Sequence, residues 1–493
     1  MEQLVARLVH IQEVVGSSPT PAPIDKEANG SQWKPMEADE IKLKPFQVPL
    51  AAQQTEVLRR ERCFLNASGT GVGKTYLVVQ TIKDLQMPTL VVCPKIAISQ
   101  WKHVISGMGA SQYIIGVTNP EQLAKPIYGM KDGKRKVVDS GCDYYRESEG
   151  WFVGGDKPSL LVFDELHRNC SGKDSKTGFA VARWCNKKRP DNKVIAMSAT
   201  PGHDPIHMRV LSYLMGFNRY VESSFYDWCR ANGCSFVDIG WGRNKRRIFK
   251  FTENKQRAGE IMQNIRHQIG DRMQAVKPSE VPGFPDEVKE VVLVDLEKRD
   301  HDALVKAYEE MPEHYKNMSS DDMVKTLRAR EIAEFCKAGV LAEMASKEVE
   351  SGNSVFIAVN FTATRERVAK ALETSGIGFS QIYGGQKESE RQEGIDAFQD
   401  NKVFVMIGMM QACSVALSLH DVKHERQRVS LISPSFTAAD VVQALGRIRR
   451  VGGTTAVQKI VLVANSVEER VARSVGKKID QIETLTDKDL MVK

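Results

Sequence analysis

The sequence predicts an α/β protein of two lobes, each a parallel sheet flanked by helices, with a mainly helical insertion carrying a β-hairpin between them. Three observations lead there. Short apolar runs recur at residues 89–93, 160–163, 194–197, 355–359, 404–409, 429–432 and 460–463, and such runs between helical or loop segments read as strands buried on both faces. The runs fall into two groups, about 41–217 and 345–465. Between the groups the chain is richer in charge and helical patterning, most of all over 297–350, the mark of an added element rather than a third sheet.

Within the insertion, Phe236, Val237 and Ile239 precede a turn of Gly242, Arg243, Asn244 and Lys245, and Ile248 and Phe249 follow it, which predicts a hairpin with a basic tip. At the front, Leu4, Leu8, Ile11 and Val15 make one stripe of a short helix, and Pro19, Pro21, Pro23 and Gly30 mark a linker. The expected organisation is a helix and linker over 1–40, a first lobe over 41–217, the insertion over 218–344 and a second lobe over 345–493.

A chain of 493 residues with 42% hydrophobic and 27% charged residues has the composition of a globular protein of about two to four domains, which excludes fibrous and largely disordered classes. No stretch approaches the ~18 apolar residues of a membrane span, and the N-terminus lacks a basic then apolar leader. The nine cysteines are odd in number and scattered, a reduced pattern. The expectation is a soluble, intracellular protein with no membrane partner. A net charge of +7 adds a mild pull toward polyanions.

The strongest local signal is Ser68-Gly69-Thr70-Gly71-Val72-Gly73-Lys74-Thr75, between apolar Cys63, Phe64 and Leu65 and a helical stretch. Backbone N–H groups of such a loop wrap the phosphates of a nucleotide, ATP here. Lys74 reaches the β and γ phosphates, and the Thr75 hydroxyl can ligate Mg²⁺. Ser68 stands where the loop's first glycine is usual.

The run ending in Asp164-Glu165-Leu166-His167 places two acids at the carboxyl end of a strand. Asp164 there can hold the metal and Glu165 can orient or deprotonate an attacking water. A kinase has less use for that second acid, so hydrolysis is favoured over transfer to a substrate hydroxyl. The third piece is Gln443-Ala444-Leu445-Gly446-Arg447-Ile448-Arg449-Arg450. On a continuous helix Gln443, Arg447 and Arg450 share one face, and the two arginine guanidiniums, turned toward a cleft between lobes, would neutralise charge on the transferring phosphoryl group.

With these three pieces the chain resembles the superfamily-two DExH-type helicases and translocases, and more closely their Swi/Snf-type branch of DNA-dependent ATPases, as a compact viral or prokaryotic member. The resemblance covers about residues 41–480 in the family's motif order. It implies two RecA-like lobes, ATP and Mg²⁺ as cofactors, and ATP-driven movement along nucleic acid, DNA in preference to RNA. Leu43-Lys44-Pro45-Phe46-Gln47 is similar to the adenine-side segment, with Gln47 the implied base contact. Val91 to Lys95 with Gln100-Trp101 looks like motif Ia, beside the nucleic-acid track. His167, with Ser198-Ala199-Thr200-Pro201 as motif III, is implied to couple hydrolysis to lobe movement. Residues 466–470, leading into Val471, Val475 and Ile479, resemble the branch's closing helix. At motif V, Cys413, Ser414 and Ala416 stand where glycines are usual, a departure that bears on nucleic-acid contact there.

Positions just after strands, Lys95 and Thr362, are candidate phosphate contacts, as are Arg243, Lys245, Arg246 and Arg247 of the hairpin. A rival from another class is a nucleotide-gated clamp or scaffold whose hydrolysis only times release. RNA as the track is a lesser alternative. His203, His207 and the run Lys131 to Lys136 read as surface features without chemistry.

Overall fold

The computed structural model describes residues 41–486, apart from 124, 132, 143, 147–150, 153–157, 168–190, 219–223, 240–245, 310–319 and 414–416. The N-terminal helix expected over 1–40 lies outside the described residues. Both lobes belong to one unit, Asp39–Lys493.

In the first lobe the strands are β1 (Cys63–Asn66), β2 (Thr89–Val92) and β3 (Ile114–Thr118). An antiparallel set follows, β4 (Pro126–Lys131), β5 (Lys134–Cys142), β6 (Tyr145–Arg146) and β7 (Trp151–Phe152). Then come β8 (Leu160–Asp164), β9 (Lys193–Met197), the antiparallel pair β10 (Cys234–Ile239) and β11 (Arg246–Phe251), and β12 (Met273–Gln274). The main sheet has the order β12-β1-β9-β8-β2-β3 and every pairing in it is parallel. Its central strands are apolar and buried on both faces, as parallel strands between two helical layers must be.

The second lobe is built from β13 (Glu287–Val294), β14 (Ser354–Val359), β15 (Phe379–Ile382), β16 (Val405–Met409), β17 (Arg428–Ile432) and β18 (Ala456–Val463). Their order is β13-β18-β17-β14-β16-β15, again all parallel. The fold is thus two RecA-like α/β lobes. In open sheets of this kind ligands bind beyond the carboxyl ends of the strands.

The segment 218–344 does not form a body of its own. β12 pairs with β1, and Phe225, Trp228, Met262 and Ile265 share a core with Leu65 and Phe163. β13 pairs with β18 over its full length, and Ala333, Ala338 and Leu341 pack beneath β14. The two lobes therefore divide this segment between them. The hairpin within it is present as β10 and β11, and its tip lies outside the described residues.

The closing helix Val467–Thr486 ties the lobes together. Val471, Val475, Ile479 and Ile482 are buried in the second lobe's core, whereas Leu485 is buried in the first lobe's. Lys255 of the first lobe pairs with Asp480 of this helix at 3.0 Å. No helix among the described residues is long and apolar enough to cross a membrane.

Candidate active site

β1 delivers the phosphate loop, and the helix Lys74–Leu85 begins at its end with Lys74 and Thr75. Gly71 has φ +81°, and a Cβ there would stand 2.9 Å from the Arg449 carbonyl oxygen, so glycine both permits the turn and lets the second lobe approach. Lys74 Nζ donates to the carbonyls of Ser68 and Gly69, each at 3.1 Å. Burial lowers the Lys74 pKa, and Glu165 and Asp164 oppose that shift. Ser68 is fully buried and its Oγ accepts from Val276 N at 3.3 Å, so the hydroxyl that replaces the usual glycine anchors the loop to the chain after β12.

β8 delivers the acids. Trp101 Nε1 donates to Asp164 Oδ2 at 3.0 Å. Burial, then the neighbouring Glu165, push the Asp164 carboxyl up to about 6. Glu165 has φ +54°, a left-handed conformation that costs a non-glycine residue roughly 1–3 kcal/mol and persists where its surroundings hold it. Its Oε2 is buried, makes no hydrogen bond, and lies 3.4 Å from His167 Nδ1. His167 Nδ1 is 2.7 Å from Ser198 Oγ, which accepts from Thr200 N at 3.0 Å. One chain of polar contacts thus runs from the strand-end acid to the loop after β9.

The arginines enter from the second lobe. The expected continuous helix is corrected here: it spans Ala438–Leu445 and stops, so Gln443 lies on it while Arg447 and Arg450 follow in the turn beyond. The physical cause is close packing, since a Cβ on Gly446 would stand 2.6 Å from Thr70 Cβ, and the chain turns where it meets the phosphate loop. Arg447 Nη1 donates to Leu417 O at 3.2 Å, and Arg450 Nη2 donates to the same carbonyl. Burial and Arg447 beside it lower Arg450 to about 9. Arg449 points away, to Glu287 of β13 at 2.8 Å.

Lys74, Thr75, Asp164, Glu165, Arg447 and Arg450 all line one cavity of about 490 Å³, together with Gln47, Thr70, Gly71, Val72 and Gly73. Gln443 is buried and is not among its lining residues. Gln47 is pinned: Nε2 donates to Val72 O at 3.1 Å and Oε1 accepts from Lys44 N at 2.9 Å. Gly69 faces Pro278 instead of the cavity. Sequence reasoning misses the roles of Trp101, His420 and the Leu417 carbonyl. His420 lines the cavity, and burial, then Arg450, lower it to about 4.

A second cavity, of about 430 Å³, is lined by Lys95, Pro120, Glu121 and His167 of the first lobe and by Gln411, Thr437 and Asp440 of the second. Thr362 is exposed at the start of the helix Thr362–Thr374. Arg247 is exposed with its guanidinium 5.0 Å over the Phe236 ring. Arg243 and Lys245 lie outside the described residues, as do Ser414, Ala416 and the side chain of Arg246, whereas Cys413 is buried in the second lobe's core.

Two family models match the chain in tandem. Residues 39–203 match the res subunit of type III restriction enzymes, and residues 336–452 match the helicase conserved C-terminal domain. The chain is a superfamily-two, ATP-dependent helicase. A protein of Acanthamoeba polyphaga mimivirus that carries the provisional name ATP-dependent RNA helicase is 28% identical to this helicase over 470 residues, 91% of this chain and 84% of its own. The ATP-dependent helicase rhp16 of Schizosaccharomyces pombe is 28% identical over 131 residues, 26% of this chain and 15% of its own. A solved structure of S. cerevisiae Dbp5 bound to RNA and ADP BeF3 aligns with 89% of the helicase and 88% of its own chain at a TM-score of 0.47 and 13% identity.

The tight seam at Gly446 carries a prediction. Gly446→Ala forces the seam open at Thr70, and because small misplacements of reacting groups cost up to ~10²-fold, kcat for ATP hydrolysis is expected to fall at least ~10-fold. Steady-state phosphate release checks this.

Proposed function

We propose that the helicase is an Mg²⁺-dependent ATPase of the Swi/Snf-type branch that moves along DNA by alternately closing and opening its two lobes. The observation that carries the reading is that Arg447 and Arg450 of one lobe open onto the same cavity as Lys74 and Glu165 of the other. Buried guanidiniums side by side and a buried ammonium suit a polyanion placed among them. The carboxylate set suits a hard divalent cation: Asp164 is pushed up by burial and by its acidic neighbour, and Glu165 Oε2 is buried without a hydrogen bond.

In this reading Thr75 and Asp164 hold Mg²⁺, which when bound neutralises charge between the β and γ phosphates. Lys74 and the N–H groups of residues 69–73 cradle the phosphates, and Gln47 borders the base. Glu165 orients the attacking water, while Arg447 and Arg450 stabilise charge developing on the transferred group and Gln443 supports them from the preceding helix. Trp101 holds Asp164 in place. His167, Ser198 and Thr200 pass the change onward, since Glu165 lines the nucleotide cavity and His167 the second, inter-lobe cavity. That second cavity, with Lys95 in its wall, suits a nucleic-acid backbone. Thr362 and the basic hairpin residues Arg243, Lys245, Arg246 and Arg247 extend the track in each lobe.

Support for DNA comes from the closing helix, which resembles that of the Swi/Snf-type branch. The name of the mimivirus relative favours RNA as a second reading. ATPase rates measured with single-stranded DNA, duplex DNA and RNA separate them. We expect duplex DNA to raise the rate at least tenfold over the free protein. Stimulation by RNA alone would move the track to RNA, and no stimulation by any polymer would overturn the motor.

A further inference from the structure

In the turn after the helix Ala438–Leu445, Arg447 and Arg450 line the nucleotide cavity and Arg449 does not. Its guanidinium is held elsewhere. Nε donates to the Pro285 carbonyl at 2.9 Å, Nη1 lies 2.8 Å from Glu287 Oε1, and the group stands 4.9 Å from the centre of the Phe284 ring. The side chain is 16% exposed. A planar, mostly buried guanidinium fixed by a carbonyl, a carboxylate and a ring has its direction set.

Phe284 and Pro285 stand at the far end of the segment 275–286, which leads from β12 to β13, and Glu287 opens β13. The near end of that segment is bonded to the phosphate loop. Gly69 N donates to Val276 O at 3.0 Å, Val276 N donates to Ser68 Oγ at 3.3 Å, and a Cβ on Gly69 would meet the Pro278 ring at 3.1 Å. Between the two ends, Glu280 N donates to Lys277 O at 3.0 Å, Val281 N to Pro278 O at 3.1 Å and Phe284 N to Val281 O at 3.1 Å. The connection is a run of hydrogen-bonded turns, not a slack tether.

The main chain of Arg449 faces the other way. A Cβ on Gly71 would stand 2.9 Å from Arg449 O and 3.1 Å from Arg450 Cα, so the turn rests on the phosphate loop at these two residues. Loop and turn are therefore fixed to one segment, the loop through Ser68 and Gly69 and the turn through the Arg449 side chain. A shift of about 1 Å in a reacting group can cost ~10²-fold in rate. A side chain that fixes the turn beside Arg450 thus acts on the chemistry without touching the nucleotide.

We propose that Arg449 is a positioning residue, which holds Arg450 at the reacting phosphate by anchoring its own side chain on the far end of the 275–286 segment and on Glu287. The inference rests on the role given to Arg450 above and adds the group that aims it. Its test is single-turnover ATP hydrolysis by the full chain, beside steady-state kcat and KM and the melting temperature of each variant. Arg449→Ala should lower kcat about 10-fold or more and leave KM for ATP within about twofold of native. Arg449→Lys, which can still pair with Glu287, should return to within about threefold of native. The deciding readout is the cycle with Arg450→Ala. With Arg450 gone there is nothing left to aim, so adding Arg449→Ala should cost less than about twofold more. Losses that multiply in the double variant would make Arg449 a support of the fold and overturn the proposal, as would a native kcat in Arg449→Ala. Should Arg449→Ala not stay folded, Glu287→Gln carries the same cycle with an expected loss of about threefold, and multiplying losses there overturn the proposal equally. A native rate in Arg450→Ala alone would instead remove the underlying role of Arg450, and this inference with it.

Discussion

Arg450→Ala is expected to slow ATP hydrolysis by about 10³- to 10⁵-fold while ATP itself still binds. That is the range for an arginine acting on the transferring phosphoryl group. Arg450 is the better target of the pair, because it packs directly on the phosphate loop at Gly71 while lining the nucleotide cavity. Arg447 is 4% exposed and shares the Leu417 carbonyl with Arg450. A contact made chiefly in the transition state lowers kcat and leaves KM nearly unchanged. Rapid-quench measurement of a single turnover checks the chemical step directly. A fall in ATP affinity that accounts for the whole loss would instead make Arg450 a ground-state binding residue.

Glu165→Gln is the second large effect, with turnover down about 10²- to 10⁴-fold, the range for loss of a positioned general base. The substitution keeps the shape of the side chain at φ +54° and removes only its charge. Two consequences separate it from a folding defect. The like-charge pressure on Asp164 disappears, so that carboxyl moves down from about 6 toward its ordinary range. ATP should remain bound and intact, detectable as unhydrolysed nucleotide retained on the protein after gel filtration. Turnover at the native rate would remove Glu165 from the chemistry.

Much of this is legible in the sequence because it is local. Strands buried on both faces are continuous apolar runs, and all seven runs named from the sequence coincide with strands. The phosphate loop and the pair Asp164-Glu165 are likewise set by neighbours in the chain. β13 is hidden because Glu287, Lys289 and Glu290 interrupt its apolar pattern at the edge of the sheet. β12 has two residues, too few for any periodicity. The run Lys131 to Lys136 reads as a solvated turn because its charges mask the strands on either side of Asp132-Gly133.

What depends on distant partners is not legible. Nothing around Trp101 announces a hydrogen bond to Asp164, 63 residues away, and nothing around Leu417 announces that its carbonyl holds two arginines. The helical spacing of Gln443, Arg447 and Arg450 suggests one face, but the close approach of Gly446 to Thr70 ends the helix first. Local periodicity describes a helix only as far as its neighbours leave room for it.

The shared cavity of the two lobes is tested most directly by comparing how tightly the native chain and Arg450→Ala hold ADP with aluminium fluoride, a mimic of the transferring phosphoryl group, and how tightly each holds ATP. If the lobes enclose one triphosphate, the variant loses about 10³-fold or more in affinity for the mimic and little for ATP. Equal affinity of both proteins for the mimic would mean that the second lobe's arginines do not reach the reacting phosphate.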